Sequence, residues 1–261
     1  MASAWQEIKE LHKASTFGAK EGLAFRYFSR PLASLILYFI QHGRITPNQV
    51  TILSLIVGLI GSGFHAFDLT YRGLILGGVF FMLAHMLDAL DGQLARHRKA
   101  GSVVGMYFDF FIDELKAYFI LISISIRLFR QSLEGQSDFL MLNHVVDYFG
   151  GSSFGILYVA IAGLCGLAIG ISATQFVKRD EWKEAFPAGA GGGKPSIIAR
   201  LIGLIEKVGH FIVDYPSYIL LLCIIDQIEI YFVIYSLTVC AYAVRAVSSI
   251  ALKLWRINPY A

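Results

Sequence analysis

The sequence predicts an all-α protein: a polytopic membrane helix bundle with six transmembrane helices, preceded by an N-terminal interfacial amphipathic helix. Three observations carry that prediction. The 261 residues are 56% hydrophobic and 16% charged, against about 25% charged in soluble domains, and the mean hydropathy is +0.61. Six stretches, near 48–67, 73–97, 101–128, 151–177, 208–226 and 228–252, are long and apolar enough for the roughly 20 residues that cross a bilayer. Lys and Arg are distributed unevenly between the two sides that six spans would create, 17 against 3.

Each break between spans has a local cause. Charged or turn-forming residues interrupt the apolar pattern at 68–72, 96–101, 127–147, 178–207 and 226–229. The excess of basic residues falls on the side shared by both termini, so the positive-inside rule places both termini in the cytoplasm. The first 45 residues contain six Lys/Arg and no apolar core before a small-residue cleavage site, so no secretory signal is expected. Within them, over 23–41, Phe25, Phe28, Leu32, Leu35, Ile36 and Phe39 recur at helical spacing opposite Arg26 and Arg30, the pattern of a helix lying in the inner leaflet. Three segments follow: 1–45, cytoplasmic with the interfacial helix; 46–256, a six-helix catalytic domain; and 257–261, a short cytoplasmic tail.

Composition also excludes some functions. A net charge of +3 without a basic, aromatic-laced face gives no reason to expect a nucleic-acid partner. Cys165, Cys223 and Cys240 stand inside apolar runs without metal-ligand spacing, as buried small hydrophobes do. The glycines of 188–193 lack phosphate-loop spacing.

The chemistry concentrates between Asp88 and Asp113. The order is Asp88, Asp91, Gly92, Ala95, Arg96, then Gly105, Asp109 and Asp113, so four aspartates fall within 26 otherwise apolar residues. A carboxylate inside hydrocarbon costs at least about 2.5 kcal/mol, which requires compensating cations or a wet cleft. Asp88 and Asp91 share one helix face, Asp109 and Asp113 another. A turn at 96–101 would make the two helices antiparallel neighbours with Asp91 and Asp109 at similar depths. Oxygen-only ligands suit hard cations, Mg²⁺, Mn²⁺ or Ca²⁺, and two such ions can clamp a diphosphate. Gly92 and Gly105 would let a ligand lie against backbone or would serve close helix packing. Ala95 would keep the path narrow, and Arg96 can pair with a phosphate.

This pattern, DxxDGxxAR-x8-GxxxDxxxD, resembles the signature of the CDP-alcohol phosphotransferases at every specified position. The resemblance implies transfer of a phosphoryl-alcohol unit from a CDP-activated donor to an acceptor hydroxyl, with release of CMP. It implies that Asp88, Asp91 and Asp109 hold two divalent ions, Mg²⁺ or Mn²⁺. Asp113 would complete the metal site and act as the catalytic base. Gly92 and Gly105 would give room for the cytidine, and Arg96 would bind the diphosphate. Thr46-Pro47-Asn48-Gln49-Val50-Thr51 resembles the TPNxxT element of many members, which makes Asn48 and Thr51 candidate nucleotide contacts; a capped helix N-terminus is the other reading. A homodimer is also implied by the resemblance.

The donor is expected to be a CDP-linked lipid, CDP-diacylglycerol in the simplest case, and the acceptor a small polar alcohol. The entry region 20–31 resembles that of members using inositol phosphate, which favours inositol or inositol phosphate over glycerol phosphate or serine. Arg200, Lys207, His210 and Asp214 are candidate acceptor contacts; Arg200 and Lys207 also fit simple membrane anchors. A CDP-amino-alcohol donor with a lipid acceptor would use the same aspartates. A divalent-cation transporter is the alternative from another class, and the apolar outer halves of the spans argue against it. Lys116 is expected to pair with Asp113 or Glu114, and His85 to pack without a metal.

Overall fold

The structure, a computed structural model, describes residues 4–15, 27, 29–135, 139–151, 153–186 and 216–255. All regular structure among them is helical. In chain order the helices are α1 (Ala4–Ser15), α2 (Arg30–Ile40), α3 (Pro47–Phe67), α4 (Tyr71–His97), α5 (Val103–Leu133), α6 (Leu142–Tyr148), α7 (Phe154–Lys178), α8 (Asp180–Ala185), α9 (Pro216–Ile224) and α10 (Ile228–Trp255). Four of them, α3, α4, α7 and α10, are long and apolar enough to cross a membrane.

α5 is longer still at 31 residues, about 46 Å of helix, but it carries Asp109, Asp113, Glu114, Lys116, Arg127 and Arg130. Of the fifth expected span, residues 216–226 lie among the described ones, with helix over Pro216–Ile224. The short helices α6 and α8 occupy stretches that the sequence assigns to breaks.

Helix starts follow local chemistry. At α3, the Thr46 hydroxyl accepts from the Gln49 amide and the Gln49 side chain accepts from the Thr46 amide, with Pro47 in the first turn. The hydroxyls of Thr70 and Ser102 cap α4 and α5 by accepting from the amides of Gly73 and Gly105. The turn between α3 and α4 is closed by Asp68, whose carboxylate accepts from both the amide and the hydroxyl of Thr70. Those bonds hold its carboxyl below the usual range.

Two cores organise the bundle. One joins α4, α5, α7, α9 and α10 through Leu74, Phe81, Leu121, Ile124, Ile156, Cys223, Phe232 and Tyr235. The other, nearer the aspartates, packs Ala33 and Leu37 of α2 and Val50 of α3 against Ala89, Leu90 and Leu94 of α4. α2 therefore buries one face, while Leu32, Leu35 and Phe39 remain exposed on the other. Residues 23–26 and 28 of the expected interfacial stretch lie outside the described residues.

α3 packs along both α4 and α5, whereas the backbones of α4 and α5 touch at most at a few points. The direct helix pair expected from the sequence is thus opened by a third helix. Glycines permit the close approaches: a Cβ on Gly61 would sit 3.0 Å from the Gly77 carbonyl, and one on Gly166 would sit 2.9 Å from the Cys240 amide. Gly58 and Gly163 also meet other helices of the same chain, while Gly63 and Gly170 have nothing within 4 Å of such a Cβ.

Candidate active site

Asp91 stands six residues before the end of α4, and Asp109 six residues after the start of α5. Both are about 9 Å from their helix ends, and the separation of α4 from α5 leaves room between them. One oxygen from each of Asp88, Asp91 and Asp109 lies within 4.8 Å of the others. Asp91 is 5% exposed. Its Oδ2 lies 2.5 Å from the Thr51 hydroxyl, which also sits 3.1 Å from the Pro47 carbonyl. Thr51 thus joins the acidic cluster from α3.

Asp113 is placed differently. Its Oδ1 is 2.7 Å from Lys116 Nζ, and the same ammonium pairs with Asp88 Oδ1. The sequence suggested Asp113 or Glu114 as the partner of Lys116. The structure assigns Asp113 and Asp88, while Glu114 accepts from Gln175 at 3.4 Å. The link to Asp88, 28 residues away in sequence, depends on how α4 and α5 face each other and has no local signal. His85 is buried one turn deeper on α4 and is not among the clustered ligand atoms.

Above the carboxylates opens a cavity of about 480 Å³. Asn48, Thr51, Asp91, Gly92, Ala95, Arg96, Gly105 and Asp109 all line it, so every residue singled out for the nucleotide faces one space. The sequence did not single out Lys99, Ser102 and Met106, which also line it; their only signal was their place in the link and first turn between the two motif halves. A Cβ on Gly92 would meet the Arg96 guanidinium at 3.3 Å, and one on Gly105 would meet Ser102 Oγ at 3.0 Å. The missing side chains let Arg96 lie back along α4 and keep the mouth of α5 open. Arg200, Lys207, His210 and Asp214 lie outside the described residues.

Two clamps fix this end of the bundle. Arg98 donates to the carbonyls of Ile40, Gln41, Gly43 and Ile45, which ties the link between α2 and α3 to the end of α4. Ser34 donates to Gln93 Oε1 at 3.2 Å, and Gln93 donates to the Arg30 carbonyl at 3.1 Å.

A family model described as CDP-alcohol phosphatidyltransferase matches residues 44–243. The chain belongs to this family. The matched segment begins just before α3 and ends within α10. Among curated relatives, the archaetidylinositol phosphate synthase of Pyrococcus horikoshii is 37% identical over 82 residues, 31% of this chain and 42% of that protein. The bifunctional IPC transferase and DIPP synthase of Thermococcus kodakarensis is 29% identical over 112 residues, 41% of this chain and 24% of that protein. A protein of the same description from Aquifex aeolicus is 28% identical over 120 residues, 46% of this chain and 27% of that protein. The chain thus spans less than half the length of each of these relatives.

Divalent-metal dependence is general in the family, and the residues here fit such an ion. The donor set is all oxygen, as hard cations require. Asp109 Oδ1 is shut off from solvent with no hydrogen-bond partner among the described residues. An orphaned carboxylate oxygen in a closed environment is costly, and a cation would relieve it.

Proposed function

We propose that the protein transfers a phosphatidyl or related lipid-phosphoryl group from a CDP-linked lipid to the hydroxyl of a small polar alcohol, releasing CMP. The observation that carries this is the convergence of one oxygen each from Asp88, Asp91 and Asp109 within 4.8 Å, with Asp91 and Asp109 lining the same cavity as Gly92, Ala95, Arg96 and Gly105.

In this reading Asp88, Asp91 and Asp109 would hold two divalent ions, Mg²⁺ or Mn²⁺, and Asp113 would complete the set. When bound, the ions supply positive charge where the diphosphate oxygens become more negative during displacement. Asn48, Gly92 and Gly105 admit the nucleotide against backbone, and Arg96 pairs with the diphosphate. Thr51 holds Asp91 in place through its hydroxyl. Asp113, the half-buried carboxylate at the edge of the cluster, takes the proton of the acceptor hydroxyl. The acceptor oxygen then bonds to the lipid-bearing phosphorus, the bond from that phosphorus to the bridging oxygen breaks, and CMP departs with the bridging oxygen.

Inositol phosphate or inositol is the favoured acceptor, supported by the entry-region likeness and by the printed name of the Pyrococcus relative. Arg200, Lys207, His210 and Asp214 are proposed to contact it. Six spans, an interfacial N-terminal helix, cytoplasmic termini and a homodimer complete the proposal.

The test is CMP release by purified protein in nanodiscs with Mg²⁺ or Mn²⁺ and CDP-diacylglycerol. Inositol phosphate, inositol, glycerol phosphate and serine are offered in turn, with Asp113→Asn as control. Acceptor-dependent release that falls at least about 100-fold in the variant supports the reading and names the acceptor. Release only from CDP-choline with diacylglycerol would reverse the donor and acceptor. No release in any combination would overturn the proposal.

A further inference from the structure

Lys116 sits one turn deeper than Asp113 on α5, 3% exposed. Its stem passes Gly58 of α3 and Ala84 of α4 in an apolar wall. The ammonium rises from that wall to bridge Asp88 and Asp113, and Ser54 Oγ lies 3.4 Å from it. A buried lysine that spends its charge on two carboxylates of an intramembrane cluster is expensive unless it has a task.

The geometry divides the cluster in two. Asp88, Asp91 and Asp109 form the close oxygen set, and Asp109 Oδ1 is buried without a hydrogen-bond partner among the described residues. Asp113 stands outside that set and is tied to it by the Lys116 ammonium and its bridge to Asp88. We propose that Lys116 is a positioning residue that serves as the built-in counter-ion of the Asp88–Asp113 pair. The aspartate triad takes its first divalent ion with the ammonium in place, and a second ion gains the pair only by displacing it. This inference rests on the metal-site reading above.

Charge balance favours that order. When all four are ionised, as metal loading requires, four carboxylates facing one ammonium leave three negative charges. One divalent ion reduces the excess to one, and a second would reverse its sign. The diphosphate of the donor brings the compensating negative charge, so occupation of the second position is coupled to arrival of the nucleotide. Displaced from Asp88 and Asp113, the ammonium keeps Ser54 Oγ within reach and stays in the protein.

The test is Mn²⁺ titration of the full chain in nanodiscs, with bound ions counted by electron paramagnetic resonance, without and with CDP. Wild-type protein, Lys116→Gln, Lys116→Met and Lys116→Arg are compared. Without nucleotide, wild-type protein should bind one Mn²⁺ tightly and a second at least about tenfold more weakly. Lys116→Gln and Lys116→Met should tighten the second ion by about tenfold or more, the scale on which groups behind metal ligands act, and lose most of the effect of CDP. Lys116→Arg should keep the wild-type pattern. The glutamine variant retains hydrogen bonds to both carboxylates, so it remains informative where the methionine variant does not fold. Wild-type isotherms in Lys116→Gln, or loss of the second ion from it, would overturn this inference alone. Absence of bound Mn²⁺ in every form would overturn the metal-site reading and this inference with it.

Discussion

At the scale of single residues, position in the motif and role in the site separate at Thr51 and Lys116. The TPNQVT stretch marked Thr51 as a nucleotide contact or as part of a capped helix start. The cap is formed by Thr46 and Gln49, while the Thr51 hydroxyl goes to Asp91. A helix face is legible in sequence, but the residue opposite it on another helix is not, and that residue decided the partner. Thr51→Val keeps the shape and removes the donor. It should raise the Mg²⁺ concentration needed for half-maximal CMP release about 10- to 100-fold, with Thr51→Ser close to wild type. An unchanged Mg²⁺ dependence in Thr51→Val would show that Asp91 is positioned without the hydroxyl. The aspartates, glycines and Arg96 were legible because the motif fixes both their identity and their spacing.

At the scale of helices, the least legible features are contacts between elements far apart in sequence. Arg127 counted in the sequence as one of three basic residues on the sparse side of the membrane. It is instead fully buried and donates to the carbonyls of Asp68, Leu69 and Thr70, which follow the end of α3. Nothing around residue 127 reveals that the carbonyls of the α3–α4 turn will need its guanidinium as a donor. Arg127→Met should destabilise the protein by on the order of 3 kcal/mol, since several charge-assisted bonds vanish and part-buried carbonyls lose a donor. A lowered melting temperature in detergent measures this; an unchanged one would mean that water replaces the guanidinium. Gly77 poses the complementary problem of space. A Cβ there would fall 1.8 Å from the His65 ring, and that ring is itself buried with its Nε2 bonded to the Leu74 carbonyl. Gly77→Ala should therefore cost about 1–3 kcal/mol through overpacking, whereas Gly63→Ala, facing open space, should leave stability unchanged. Equal melting temperatures for the two variants would refute the packing argument.

At the scale of the whole molecule, hydropathy reads most of the bundle and fails where function intrudes. α3, α4, α7 and α10 pass as spans on length and composition. α5 does not, because it carries half of the aspartates, Lys116 and the two arginines that clamp the α3–α4 turn. Its 31 residues still exceed a hydrocarbon core of about 30 Å, since they extend to roughly 46 Å. Asp91 and Asp109, about 9 Å from their helix ends, then lie at the depth where core meets headgroup, within reach of a lipid-borne diphosphate from one leaflet. The leaflet belongs to the proposal: six spans would leave 17 Lys/Arg on one side against 3 on the other, and the positive-inside rule predicts from that a cytoplasmic α4–α5 link. Ala100 in that link and Tyr148 at the end of α6 are both exposed, so they report opposite faces. In intact cells, a membrane-impermeant maleimide should label Tyr148→Cys and should reach Ala100→Cys only after permeabilisation. The unsubstituted chain, with Cys165, Cys223 and Cys240 inside helices, supplies the background. Labelling of Ala100→Cys from outside would turn the cavity toward the opposite leaflet, and the donor would then have to be drawn from there.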